Sequence, residues 1–70
     1  MKAKLYYRQI AVLMIHNGID SRALADLTGI PYSTLRRRLR GDSPFTLDEA
    51  ICIHSLIGGD MTIEQLFSHE

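Results

Sequence analysis

Apolar residues recur at helical spacing along nearly the whole chain, and no stretch alternates long enough with the period of two that a strand requires. Leu5, Ile10, Leu13, Met14 and Asn17 lie near one helical face, and Gly18 follows where a helix commonly stops in the left-handed conformation. A first helix is therefore expected over about 5–17. Asp20 is a good N-cap, flanked by Ile19 and Leu24 at the positions of a hydrophobic staple, and the second helix runs from it to about Thr28. Gly29 is free to take positive φ, and Pro31 lacks the N–H that would prolong the helix. Tyr32 to Arg40 is helical again, with Leu35 and Leu39 on one face and Gly41 at the stop.

Asp42, Ser43 and Pro44 form a loop. Thr46 and Glu49 then have capping-box spacing, with Phe45 and Ala50 placed as a staple, which predicts a fourth helix over about 47–57 ending at Gly58 and Gly59. The same grammar returns in Thr62 with Gln65 and Met61 with Leu66, for a short fifth helix over about 63–68. The expected fold is all-α, five helices with short connections.

Seventy residues amount to one small domain over 1–70, and 46% apolar with 23% charged residues suits a folded unit rather than a disordered one. No apolar run approaches the roughly 20 residues of a membrane span, and the first residues are too short and interrupted for a signal peptide, so a cytoplasmic protein is expected. Cys52 has no partner for an internal disulfide, and His16, His54 and His69 show no zinc spacing, so neither metal nor cofactor is expected. His54 in its apolar helix suits a core or interface position, and Cys52 suits a small apolar filler. Nothing in the spacing of Ser, His and Asp nominates a catalytic triad, and no enzymatic activity or small-molecule ligand is expected.

A net charge of zero conceals a division. Residues 1–40 carry all eight bases, Lys2, Lys4, Arg8, Arg22, Arg36, Arg37, Arg38 and Arg40, against Asp20 and Asp26. Residues 41–70 carry six acids and no base. Such asymmetry points to a nucleic-acid surface. No acid stands four residues before Arg36, Arg37, Arg38 or Arg40 within the third helix, so these charges repel one another unless a polyanion compensates. A basic helix solvated on all sides is the alternative.

Two short helices joined by a tight glycine-containing turn describe a helix-turn-helix, whose second helix enters the major groove. Ala25 is small enough for the helix crossing, Gly29 serves the turn, and Leu24, Ile30 and Leu35 fill the wedge. Leu24-Ala25-x-x-x-Gly29-Ile30-x-x-x-Thr34-Leu35, closing at Leu39-Arg40-Gly41, resembles the lambda-repressor-like, Cro-type helix-turn-helix family of phage and bacterial regulators. The likeness continues through Pro44-Phe45-Thr46-Leu47-Asp48-Glu49-Ala50-Ile51 and Thr62-Ile63-Glu64-Gln65-Leu66-Phe67, and so covers nearly all of the chain. It implies a compact five-helix DNA-binding domain acting as a transcriptional regulator in a bacterial host cell, associated with the nucleoid.

Three positions depart from the family pattern. Pro31 replaces a small polar cap, and Ser21 stands where many relatives carry a phosphate-contacting Gln. Arg38 occupies a place usually apolar, where its methylenes would lie on the core while its guanidinium reaches outward.

At about 100° per residue, Ser33 and Arg37 lie opposite the Leu35–Leu39 side of the third helix. Arg37 is the foremost candidate for base contact, since an arginine can donate two parallel hydrogen bonds to guanine. Tyr32 and Ser33, at the leading end, are the other base-contact candidates. Arg22, Thr34, Arg36 and Arg40 are candidates for phosphate contact. Partners are therefore double-stranded DNA and, for a two-half-site operator, a second copy in a weak homodimer. Apolar residues surround most of helix four, so its surface, with Leu66 and Phe67, either packs on that copy or is wrapped by the other helices. The competing function is a protein-binding module of the same fold, an antitoxin or adaptor working through helices four and five.

Overall fold

The computed structural model describes residues 6–68. It contains α1 (Arg8–His16), α2 (Ser21–Thr28), α3 (Tyr32–Leu39), α4 (Leu47–Ile57) and α5 (Ile63–Leu66), and no strand among the described residues. Leu5 lies outside the described residues, as do Lys2, Lys4, His69 and Glu70.

The helix boundaries follow from local hydrogen bonding. Asp20 Oδ1 accepts from the Ala23 amide at 2.9 Å and starts α2. Thr46 with Glu49, and Thr62 with Gln65, form reciprocal capping boxes at the starts of α4 and α5. α1 ends at Asn17, where the Gly18 amide bonds Ile15 O and the Ile19 amide bonds Met14 O, the paired bonds of a Schellman motif. The same motif ends α3, with the Gly41 amide on Arg38 O and the Asp42 amide on Arg37 O, so Arg40 is its cap rather than its last helical residue. α5 is shorter than the expected 63–68: Phe67 leaves the helical conformation, and its ring joins an edge-to-face cluster with Phe45 at 5.2 Å and Tyr7 at 5.7 Å.

Each helix contributes one fully buried side chain to a common core: Ile10, Leu24, Leu35, Ile53 and Leu66. Each such burial is worth roughly 1.5–3 kcal/mol against exposure. α4 packs on α1, α2 and α5, and turns Ala50, Ile53 and Ile57 inward. Leu66 is fully buried and Phe67 half-buried against the core, so of the two alternatives docking of α5 on α1 and α4 withdraws Leu66 from any surface for a second copy. The apolar surface of α4 that remains exposed is Leu47, Ile51 and Leu56. No helix among the described residues is long and apolar enough to cross a membrane.

Candidate nucleic-acid interface

The α3 backbone lies close to that of α2 alone among the described helices, while its Arg38 side chain reaches Glu49 of α4. The support is the wedge of Leu24, Ala25, Ile30 and Leu35, all buried, and the crossing is permitted by Gly29 at φ 79°. α1 and α3 share the core through Ile10 and Leu35 without close approach of their backbones; an open groove of about 420 Å³ between them is lined by Tyr6, Ile10, Ile15 and Leu39, with Arg36 and Arg40 on its α3 side. The outer face of α3 is therefore free of any other helix.

On that face Ser33 and Arg37 are exposed, as the helix phase requires, and Thr34 is half-buried on one shoulder. The Arg37 side chain makes no hydrogen bond or ion pair with another described residue. At the leading end, Tyr32 is half-buried between two cations. The Arg22 guanidinium carbon sits 4.2 Å from its ring centroid, and that of Arg36 lies 5.7 Å away with Nη1 donating to Tyr32 Oη at 2.9 Å.

The remaining two arginines of the cluster are compensated within the chain. Arg38 does not extend its guanidinium outward as expected. Its side chain is only 19% exposed, Nε lies 2.9 Å from Glu49 Oε1, and Nη1 donates to Pro44 O at 2.8 Å. Nε–H is not directed along a hydrogen bond, so the contact with Glu49 is coulombic. The cause is placement: the 41–46 loop folds back over this side of α3, supplies the Pro44 carbonyl and brings up the first turn of α4 with its acid Glu49. Arg40 Nε and Nη2 both donate to Asp42 Oδ2, at 3.1 and 3.0 Å, in an exposed pair. The expectation that nothing in the chain offsets the cluster is thus corrected. It considered acids within α3, whereas the offsetting acids follow the helix. Arg22, Arg36 and Arg37 make no ion pair with a described residue.

Sequence reasoning missed Asp42 and Glu49 as determinants of this surface. The signal for Asp42 was its place one residue beyond the stopping glycine, where the chain turns back toward the helix end. His54 and Cys52 are half-buried. His54 Nε2 meets Met61 O at 2.5 Å and ties the end of α4 to the approach of α5.

The chain was compared with protein-family models, curated proteins and solved structures, and no match was found in any of the three.

Proposed function

We propose that this protein is a sequence-specific double-stranded DNA-binding regulator, with α2 and α3 as the helix-turn-helix of a lambda-repressor-like, Cro-type domain. The observation that carries this reading is the outer face of α3: a helix whose backbone lies against that of one other helix, presenting an Arg37 side chain without a partner among the described residues and flanked by Arg36. α3 enters the major groove, where Arg37 and Ser33 address base edges. Arg22, Thr34, Arg36 and Arg40 hold the backbone on either side, the last by exchanging Asp42 for a phosphate. The protein acts by occupying its site, without covalent chemistry, in the cytoplasm of a bacterial host cell. Two copies on two half-sites about one helical turn apart supply the specificity that one module lacks.

A second reading is favoured by one observation, the exposure of Leu47, Ile51 and Leu56 along α4, at 71%, 45% and 40%. It makes the domain a protein-binding module working through that face. Selection of bound sites from a random duplex pool, followed by affinity against salt, separates the two. A palindromic selected site and a steep loss of affinity with salt support the regulator. No measurable duplex affinity at about 50 mM salt defeats it in favour of the protein-binding module.

A further inference from the structure

We infer that Arg22, Tyr32 and Arg36 form a single clamp for one phosphodiester group of duplex DNA, in which Tyr32 is a positioning residue and not a base reader. The inference rests on the DNA-binding reading and specifies how its backbone contacts are built.

Arg22 belongs to the first turn of α2, Tyr32 opens α3, and Arg36 stands one turn further along α3. Two helices therefore deliver two cations to one aromatic ring. Arg22 lies over the ring at 4.2 Å from its centroid, and Arg36 is held by its hydrogen bond to Oη. A ring face attracts a cation through its quadrupole, at about 0.5–1 kcal/mol in an exposed setting. That attraction does not remove the repulsion between two guanidinium groups gathered at one ring. Neither makes an ion pair with a described carboxylate; Asp20, the nearest acid before Arg22 in the chain, instead accepts from the Ala23 amide. A doubly held, uncompensated pair of forked donors suits one phosphate, whose oxygens accept charge-assisted hydrogen bonds from both.

The ring is also spoken for. Its hydroxyl accepts from Arg36 and its π-surface carries Arg22, so both features that would contact a base edge are engaged in holding cations. The tyrosine restricts two long side chains that otherwise lose rotamer freedom on binding, which is the preorganising contribution.

Counting phosphates tests this. The slope of log affinity against log salt changes by about 0.9 for each phosphate neutralised on duplex DNA. On the selected duplex, Arg22→Ala and Arg36→Ala together are expected to flatten the slope by about 0.9 per bound copy, the value for one phosphate each. A loss of about 1.8 per bound copy would mean two separate phosphates and overturn the clamp. Methylphosphonate replacement at each backbone position in turn should reveal one position per half-site that weakens the wild type and has no further effect on the double variant; no such position overturns the inference. Tyr32→Phe, which keeps the ring and loses the hydroxyl, should weaken selected and random duplexes equally, by about two- to tenfold, with base preference unchanged. A changed preference at one base pair would make Tyr32 a reader after all. Thermal unfolding of each variant separates these effects from loss of fold, and Tyr32→Phe retains the packing that Tyr32→Ala removes. Absence of binding by the wild type to any duplex overturns both this inference and the function beneath it, whereas duplex binding with a two-phosphate loss overturns the clamp alone.

Discussion

Arg38 Nε stands 2.9 Å from Glu49 Oε1, the same oxygen that accepts the Thr46 amide at 3.0 Å to start α4. One carboxylate therefore caps α4 and anchors the arginine that faces away from the exposed Ser33 and Arg37 side of α3. With Arg38 Nη1 on Pro44 O, this contact fastens the 41–46 loop across the end of α3 and fixes the direction in which Arg37 projects. Glu49→Gln retains an oxygen for the cap and removes the charge, whereas Glu49→Ala removes both. Because both side chains keep 19% exposure, the expected costs lie below those of a fully buried pair: about 1 kcal/mol for Glu49→Gln and about 1–3 kcal/mol for Glu49→Ala. Urea denaturation checks the order. Arg38→Met should lower stability without changing the salt slope of DNA binding, and a flattened slope would show that Arg38 contacts phosphate.

Arg40 and Asp42 make the opposite kind of pair, exposed at 54% and 56% and so worth only about 0–1 kcal/mol. A phosphate can displace Asp42. Asp42→Asn is expected to leave the unfolding midpoint nearly unchanged, to raise duplex affinity, and to steepen the salt slope by up to about 0.9 per bound copy. Unchanged affinity and slope would remove Arg40 from the backbone contacts.

The Arg37 side chain has no partner to exchange among the described residues. Arg37→Ala should cost about 1–3 kcal/mol at the selected site and relax preference at one base position. Arg37→Lys keeps the charge but not the planar fork, so it should restore binding to random duplex while leaving the preference relaxed. Equal losses on selected and random DNA would assign Arg37 to phosphate instead. Binding titrations on both duplexes decide it.

The starts of α2, α4 and α5 and the wedge were legible in the sequence because each rests on a rule spanning only a few residues, whereas α1, expected from about residue 5, starts at Arg8 with no side-chain cap. Asp20, Thr46 and Thr62 announce their caps, and Leu24, Ile30 and Leu35 occupy the core side at helical spacing. The identity of each arginine's partner was not legible, because it depends on where the chain goes after α3. Arg38 and Glu49 are eleven positions apart and meet through the loop between them. Phe67 likewise obeys a contact with Phe45 and Tyr7 from other segments rather than the helical pattern of its own.

Tyr7 gives the fold a dependence on alkaline pH. Burial, and secondarily the neighbouring Tyr6, push its phenol above the usual 10.0. The folded state thus keeps the proton where the unfolded chain has lost it. The associated stability is complete below about pH 10 and declines as pH rises through the elevated folded value. Tyr7→Phe should lack this part of the decline, so the gap in unfolding midpoint between wild type and variant should shift in favour of the variant above about pH 10. A gap independent of pH would refute the elevated value.

Gly41 and Gly29 both take positive φ, at 84° and 79°, yet they should respond differently to a methyl group. A Cβ at Gly29 would meet nothing within 4 Å, so Gly29→Ala carries only the left-handed backbone penalty of about 1–2 kcal/mol. A Cβ at Gly41 would lie 2.6 Å from Tyr6 Cδ1, and the ring is held edge-on to Tyr7 at 4.8 Å. Gly41→Ala therefore adds an overpacking cost, for a total of about 2–4 kcal/mol. Combining it with Tyr6→Ala removes the clash and leaves the backbone term, so the two losses should be less than additive in urea denaturation. Additive losses would mean that Tyr6 does not press on the turn ending α3. A coupling between them would make the close of α3 dependent on the entry to α1.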